Sequence, residues 1–163
     1  MKKYIHILVA VITWVSVIFA LAGCSGDAFR ESKEEIFSND YDLLTLVADY
    51  LVELEYERVY ITSSFPDGKI SVYGKTLYID NDDVMKAITL LKESGCTVII
   101  KADGIVSFQY WSSLDAGKGF AYSSNEMKPQ LQFQTYLEEL SVEDWFYYEE
   151  DFNLWKLENQ MKE

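Results

Sequence analysis

The sequence predicts an α+β fold: a mainly antiparallel β-sheet with two amphipathic helices packed on one face, preceded by an N-terminal hydrophobic signal helix. Three observations lead there. Two stretches carry apolar residues at 3–4 spacing, the mark of a helix with one buried face. The runs between and after them are rich in β-branched and aromatic residues and are broken by turn chemistry. Asp103-Gly104 joins two extended runs, 97–102 and 105–111, as a hairpin, which a wholly parallel sheet cannot contain.

The chain opens with Lys2 and Lys3, then runs from Tyr4 to Ala22 with only His6, Thr13 and Ser16 interrupting its apolar character. Charge, greasy segment and small residues, in that order, form an export signal. The run ends in Leu21-Ala22-Gly23-Cys24, which resembles the lipobox of bacterial lipoproteins at all four positions. The resemblance implies that Cys24 carries a diacylglyceryl group and becomes the first mature residue. Two acyl chains anchor a protein stably where one does not. The apolar length also reaches the roughly 18–20 residues that cross a bilayer, so an uncleaved transmembrane helix is the alternative. Both readings leave Lys2 and Lys3 in the cytoplasm and everything after residue 24 outside, at the extracytoplasmic face of the cell membrane. The expected organisation is a signal peptide over 1–23, the lipidated Cys24 and a polar tether over 24–37, and one domain over 38–163, a length suited to a single core.

In the first helix, expected over about 40–55, Asn39 is placed to cap and Asp40 and Asp42 lie in the first turn. Leu43, Leu46, Val47, Tyr50, Leu51 and Leu54 form its apolar face. In the second, Asp80 or Asn81 caps, Asp82 and Asp83 open the helix, Val84, Ala87, Ile88 and Leu91 face inward, and Gly95 closes it. Strands are expected at 58–62 and 69–73 around the turn Phe65-Pro66-Asp67-Gly68, at 76–79, at 97–102 and 105–111, at 119–123 and at 144–149.

Composition excludes several chemistries. His6 is the only histidine and leaves with the signal, which removes imidazole bases, Ser-His and Cys-His nucleophiles and imidazole-bound zinc. With Cys24 lipidated, Cys96 is the only thiol, so there is no internal disulfide; between Gly95 and a β-branched run it reads as a small buried hydrophobe. After the signal, 27 acidic residues face 12 Lys and Arg, about −15 in all. Such a domain repels nucleic acid and anionic membrane surfaces. Gly117-Lys118-Gly119 lacks the earlier glycine and the following Ser or Thr of a phosphate loop, and reads as a turn into a strand. Asp80-Asn81-Asp82-Asp83 lacks the later ligands of a calcium loop and sits where a helix cap is expected. No Ser-x-x-Lys motif occurs. No cofactor or metal is expected.

What remains is aromatic density between residues 108 and 155. Rings bury much area, so these can fill the core between sheet and helices. Adjacent residues on a strand point to opposite faces, so Tyr110 and Trp111 cannot both enter one core. The candidate ligand-binding set is therefore Tyr110, Trp111, Tyr122, Trp145, Tyr147 and Trp155, with Gln109, Ser112, Ser113, Asp115 and Lys118 as polar partners. Glu143, Asp144, Glu149, Glu150 and Asp151, set among aromatics, could instead supply the paired carboxylates of a glycoside hydrolase. The segments 108–123 and 145–152 resemble uncharacterised small proteins and lipoproteins of Gram-positive bacteria, which implies location and assigns no functional residue. The expectation is a lipid-anchored, non-catalytic domain that binds a cell-envelope protein or glycan. The alternative is a small carboxylate-dependent hydrolase of envelope polysaccharide.

Overall fold

A computed structural model describes residues 32–62, 69–72, 75–124 and 128–160. The signal segment, Cys24 and the turn at 65–68 lie outside the described residues. The elements in chain order are α1 (Lys33–Glu53), β1 (Arg58–Thr62), β2 (Lys69–Val72), β3 (Lys75–Tyr78), α2 (Asp82–Glu93), β4 (Val98–Ala102), β5 (Ile105–Ser112), β6 (Ala116–Ser123), β7 (Gln134–Glu139), β8 (Trp145–Asp151) and α3 (Phe152–Gln160). The eight strands form one sheet in the order β3-β2-β1-β4-β5-β6-β8-β7, with every neighbouring pair antiparallel. The fold is α+β.

Three elements depart from expectation. Helix α1 starts at Lys33, not near Asp40, so the stretch expected as tether is helical from that point. Ser32 and Glu35 have the spacing of a capping box, and Lys, Glu, Ile and Phe all sustain a helix, so Asn39 falls inside it. Strand β7 was hidden because Gln134–Glu139 has one face half-exposed and no clean alternation. The third helix, α3, is short and begins where Asp151 Oδ1 accepts the Leu154 N–H at 2.9 Å.

Helix α2 matches its expected caps. Asn81 Oδ1 accepts the N–H groups of Asp83 and Val84 at 3.0 and 3.1 Å. At the other end Ser94 is the C-cap and Gly95, at φ +109, follows it, with Cys96 N–H reaching Leu91 O and Gly95 N–H reaching Lys92 O. The Asp103-Gly104 hairpin has positive φ at both residues, 53° and 79°, as its two-residue turn requires.

The core lies between the helices and one sheet face. Leu44, Val47, Ala48 and Leu51 of α1, with Val84, Ala87, Ile88 and Leu91 of α2, pack on Val59, Ile61, Ile99, Val106, Phe108, Phe120 and Trp145. Each large side chain so buried contributes about 1.5–3 kcal/mol. Two polar ties hold the layers in register. Asp40, buried in α1, accepts hydrogen bonds from the Tyr110 hydroxyl (2.5 Å) and Ser94 Oγ (2.6 Å), joining α1 to β5 and to the end of α2. Lys101, buried on β4, donates to the carbonyls of Val52 and Leu54 and so satisfies the C-terminal end of α1. The second sheet face is covered only in part, where Leu131 and Leu137 pack on Ala121, Phe146 and Tyr148.

Candidate functional site

The six aromatic candidates do not meet at one site. Trp145 is 1% exposed and sits among Phe37, Tyr41, Phe108 and Tyr122, so it is core. Tyr122 packs on it at 5.3 Å. Tyr110 is tied to Asp40, and burial raises its hydroxyl pKa. Trp155 packs edge-on against Phe133 at 5.2 Å.

The expectation that Tyr110 and Trp111 face opposite ways fails because β5 bulges between Gln109 and Trp111. Gln109 pairs with Gly119 and Trp111 with Lys118, which leaves Tyr110 as the extra residue. Trp111 and Tyr110 thus share the helix side. Gly119 makes the bulge possible, since a Cβ there would lie 1.9 Å from Phe108 O. Gly117-Lys118-Gly119 accordingly stands within β6, not in a turn.

On the helix side, Trp111 and Tyr147 belong to a row of groups that satisfy one another, joined at one end by Lys33 of α1. Lys118 pairs with Glu149 at 3.1 Å and lies 5.9 Å from the Trp111 ring centroid. Tyr147 donates to Glu149 and Tyr136 to Glu138, while Lys33 pairs with Glu138 and stands over the Tyr147 ring at 4.8 Å. Partial burial is outweighed at Glu149, whose carboxyl is held below the usual range by Tyr147 and Lys118. Polar groups already paired offer a ligand little.

The opposite, open face of the sheet differs. A cleft of about 650 Å³ crosses it from Arg58 and Tyr60 on β1, over Ile100, Ala102, Ile105 and Ser107, to Glu150 on β8, under a wall formed by 130–133. A second cleft of about 330 Å³ shares Phe133 and Glu150 with the first and continues past Gln109 and Gly117 to Leu114, Asp115 and Phe152. On β6, Gly117 leaves this face low at the second cleft, while Ala121 is covered by Leu131 and Leu137. At the junction, a Cβ on Gly117 would stand 2.1 Å from Gln109 Nε2 and 3.3 Å from Glu150 Oε2, so both polar groups converge on the space that the glycine leaves. Among the described residues, neither the Gln109 amide nor the Glu150 carboxyl has a hydrogen-bond or ionic partner. Desolvation pushes the Glu150 carboxyl up to about 6.

Phe133 forms the wall at the junction with a backbone φ of +64°, a conformation few bulky residues adopt. It is held there by Phe152 and Trp155, at 5.0 and 5.2 Å between ring centroids, and by the Asp151 N–H bond to Phe133 O. Strain maintained by its surroundings in this way is common at ligand clamps. Trp155 therefore reaches the groove only through Phe133.

Of the expected polar partners, Gln109 and Asp115 line the smaller cleft with Ser113, whereas Lys118 belongs to the other face. Among the expected carboxylates only Glu150 lines the groove; Glu149 faces the opposite side and Asp151 caps α3. Arg58, Tyr60, Ser107, Gln130 and Gln132 were missed. For Arg58, Tyr60 and Ser107 the signal was the polar phase of β1 and β5, opposite the buried Val59, Ile61, Val106 and Phe108; Gln130 and Gln132 lie outside any strand and carried no periodic signal.

Among the described residues no group of three or more His, Cys, Asp or Glu is placed to hold a metal ion, and no helix is long and apolar enough to cross a membrane. Fold and site together define an antiparallel α+β domain with one packed and one grooved sheet face. No protein-family model, curated protein or solved structure matches the chain.

Proposed function

We propose that this protein is a lipoprotein anchored through Cys24 on the extracytoplasmic face of the cell membrane, where its domain binds a cell-envelope component, protein or glycan, without catalysis. The anchor reading is supported by the signal and lipobox pattern at residues 2–24. The observation that carries the binding reading is the open-face groove with two polar groups at its junction that have no partner among the described residues. Polar groups left without partners in a concave, partly apolar site are what a ligand completes. The aromatic candidates give way to this groove as the binding surface, because most of them are core or already paired.

One observation favours the hydrolase alternative: a carboxyl raised to about 6, in a groove, suits a general acid. Asp115 and Asp103 line the clefts on either side of Glu150. The readings separate in Glu150→Gln, which abolishes hydrolysis under the alternative and only weakens binding under the proposal.

The anchor is tested by mass analysis of the full chain expressed in a bacterium. The expected N-terminal peptide begins at Cys24 and carries a diacylglyceryl group, and Cys24→Ser leaves the chain uncleaved. A mature chain that starts elsewhere, or an unmodified Cys24, rejects the anchor.

A further inference from the structure

We infer that the open-face groove takes an extended, uncharged glycan chain, held at the notch where Gln109 and Glu150 stand over Gly117. The inference rests on the reading of the groove as the binding surface and specifies what it binds.

Shape is the first argument. The lining runs from Arg58 on β1 through β4 and β5 and along residues 130–133 to Glu150 on β8, a strand that the sheet order sets four interstrand steps from β1, or about 19 Å. The second cleft prolongs it past Leu114 and Phe152. A trough of that length suits a chain lying across it more than a compact metabolite.

Backbone accounting is the second. The groove lies on a sheet face and not at an edge, and β4, β5, β6 and β8 each pair on both sides. A peptide cannot join this surface as an added strand, because strand addition needs free edge groups. Recognition must pass through side chains: amides on Gln109 and Gln130 and a carboxyl on Glu150. This mixture of donors and acceptors matches sugar hydroxyl and acetamido groups.

Charge is the third. The region after the signal carries 27 acidic against 12 basic residues, and Glu150 sits at the centre of the site, so a polyanionic chain is repelled. The clamped Phe133 ring adds a preorganised apolar wall, which lowers the entropy lost on binding.

The test is calorimetric titration of the full-length protein in detergent with two uncharged hexasaccharides, one of N-acetylglucosamine and one of glucose. The wild type is expected to bind at least one saturably. Glu150→Gln, which keeps the shape, and Gly117→Ala, whose Cβ would displace the Gln109 amide from its place over the glycine, should each weaken binding about tenfold, the scale of one lost charge-assisted hydrogen bond. Tyr136→Phe on the other face should leave it unchanged. No binding of either sugar overturns the inference, as does binding that ignores both groove substitutions. If both sugars are silent while purified cell-wall sacculi still retain the wild type and not Gly117→Ala, the groove reading stands and the uncharged-glycan chemistry is rejected.

Discussion

Replacing Glu150 by glutamine isolates the cost of keeping a carboxyl in the groove. The carboxyl lies in a partly buried position with no hydrogen-bond or ionic partner among the described residues, and desolvation raises it from its ordinary 4.5 to about 6. At full strength that shift corresponds to roughly 2 kcal/mol, and solvent screening at this partly exposed position reduces it to about 1 kcal/mol. Below pH 4.5 the group is protonated in the folded and unfolded chains alike, so wild type and variant should unfold together. Between 4.5 and about 6 the folded protein keeps a proton that the unfolded chain has lost, and wild-type stability falls as pH rises. Above that window the variant should be the more stable by about 1 kcal/mol, or about 4 °C in Tm. Urea unfolding of both proteins at about pH 4 and about pH 8, bracketing the window, measures this directly. A variant that is less stable at the higher pH would mean that Glu150 has a favourable partner, and the unpartnered notch would be wrong.

Other expectations follow from the packing. Asp40→Ala strands the Tyr110 hydroxyl, while Ser94 Oγ keeps its bond to Leu91 O, and should cost about 2–3 kcal/mol; added Tyr110→Phe should recover part of it, and a double-mutant cycle with no coupling would deny the tie. Thr45 Oγ1 is buried with no partner among the described residues, so Thr45→Val should be neutral or stabilise by about 1 kcal/mol in thermal unfolding, and a clear loss would reveal a missed acceptor. The Cys96 thiol is 2% exposed and pushed up to about 12 by burial, so a thiol reagent at neutral pH should modify it only after unfolding; rapid native labelling would place it at the surface.

The sheet was largely legible because alternation and turn chemistry are local. Asp103-Gly104 announced its hairpin, and Asn81 and Gly95 marked the ends of α2 through their own hydrogen bonds and backbone freedom. The start of α1 was obscured by Asn39, a good cap residue that tertiary packing carries into the helix interior beside the buried Asp40. The facing of Trp111 depended on a bulge, and the bulge depends on Gly119 lying against the backbone of another strand, which no local pattern records. The site was the least legible part. Aromatic density pointed to side chains that the fold spends on its core, as with Trp145, or pairs with neighbours, as with Tyr147. The groove's junction instead arises from what is missing on β6, the side chain of Gly117, and from two polar groups, on β5 and β8, that only the strand order brings together.

Sedimentation of the full-length protein with purified cell-wall sacculi, wild type beside Gly117→Ala and Tyr136→Ala, tests the central claim most directly. Binding through the open face requires that wild type and Tyr136→Ala pellet with the sacculi while Gly117→Ala stays in solution. Retention of Gly117→Ala with loss of Tyr136→Ala would move the binding surface to the opposite face and contradict the account.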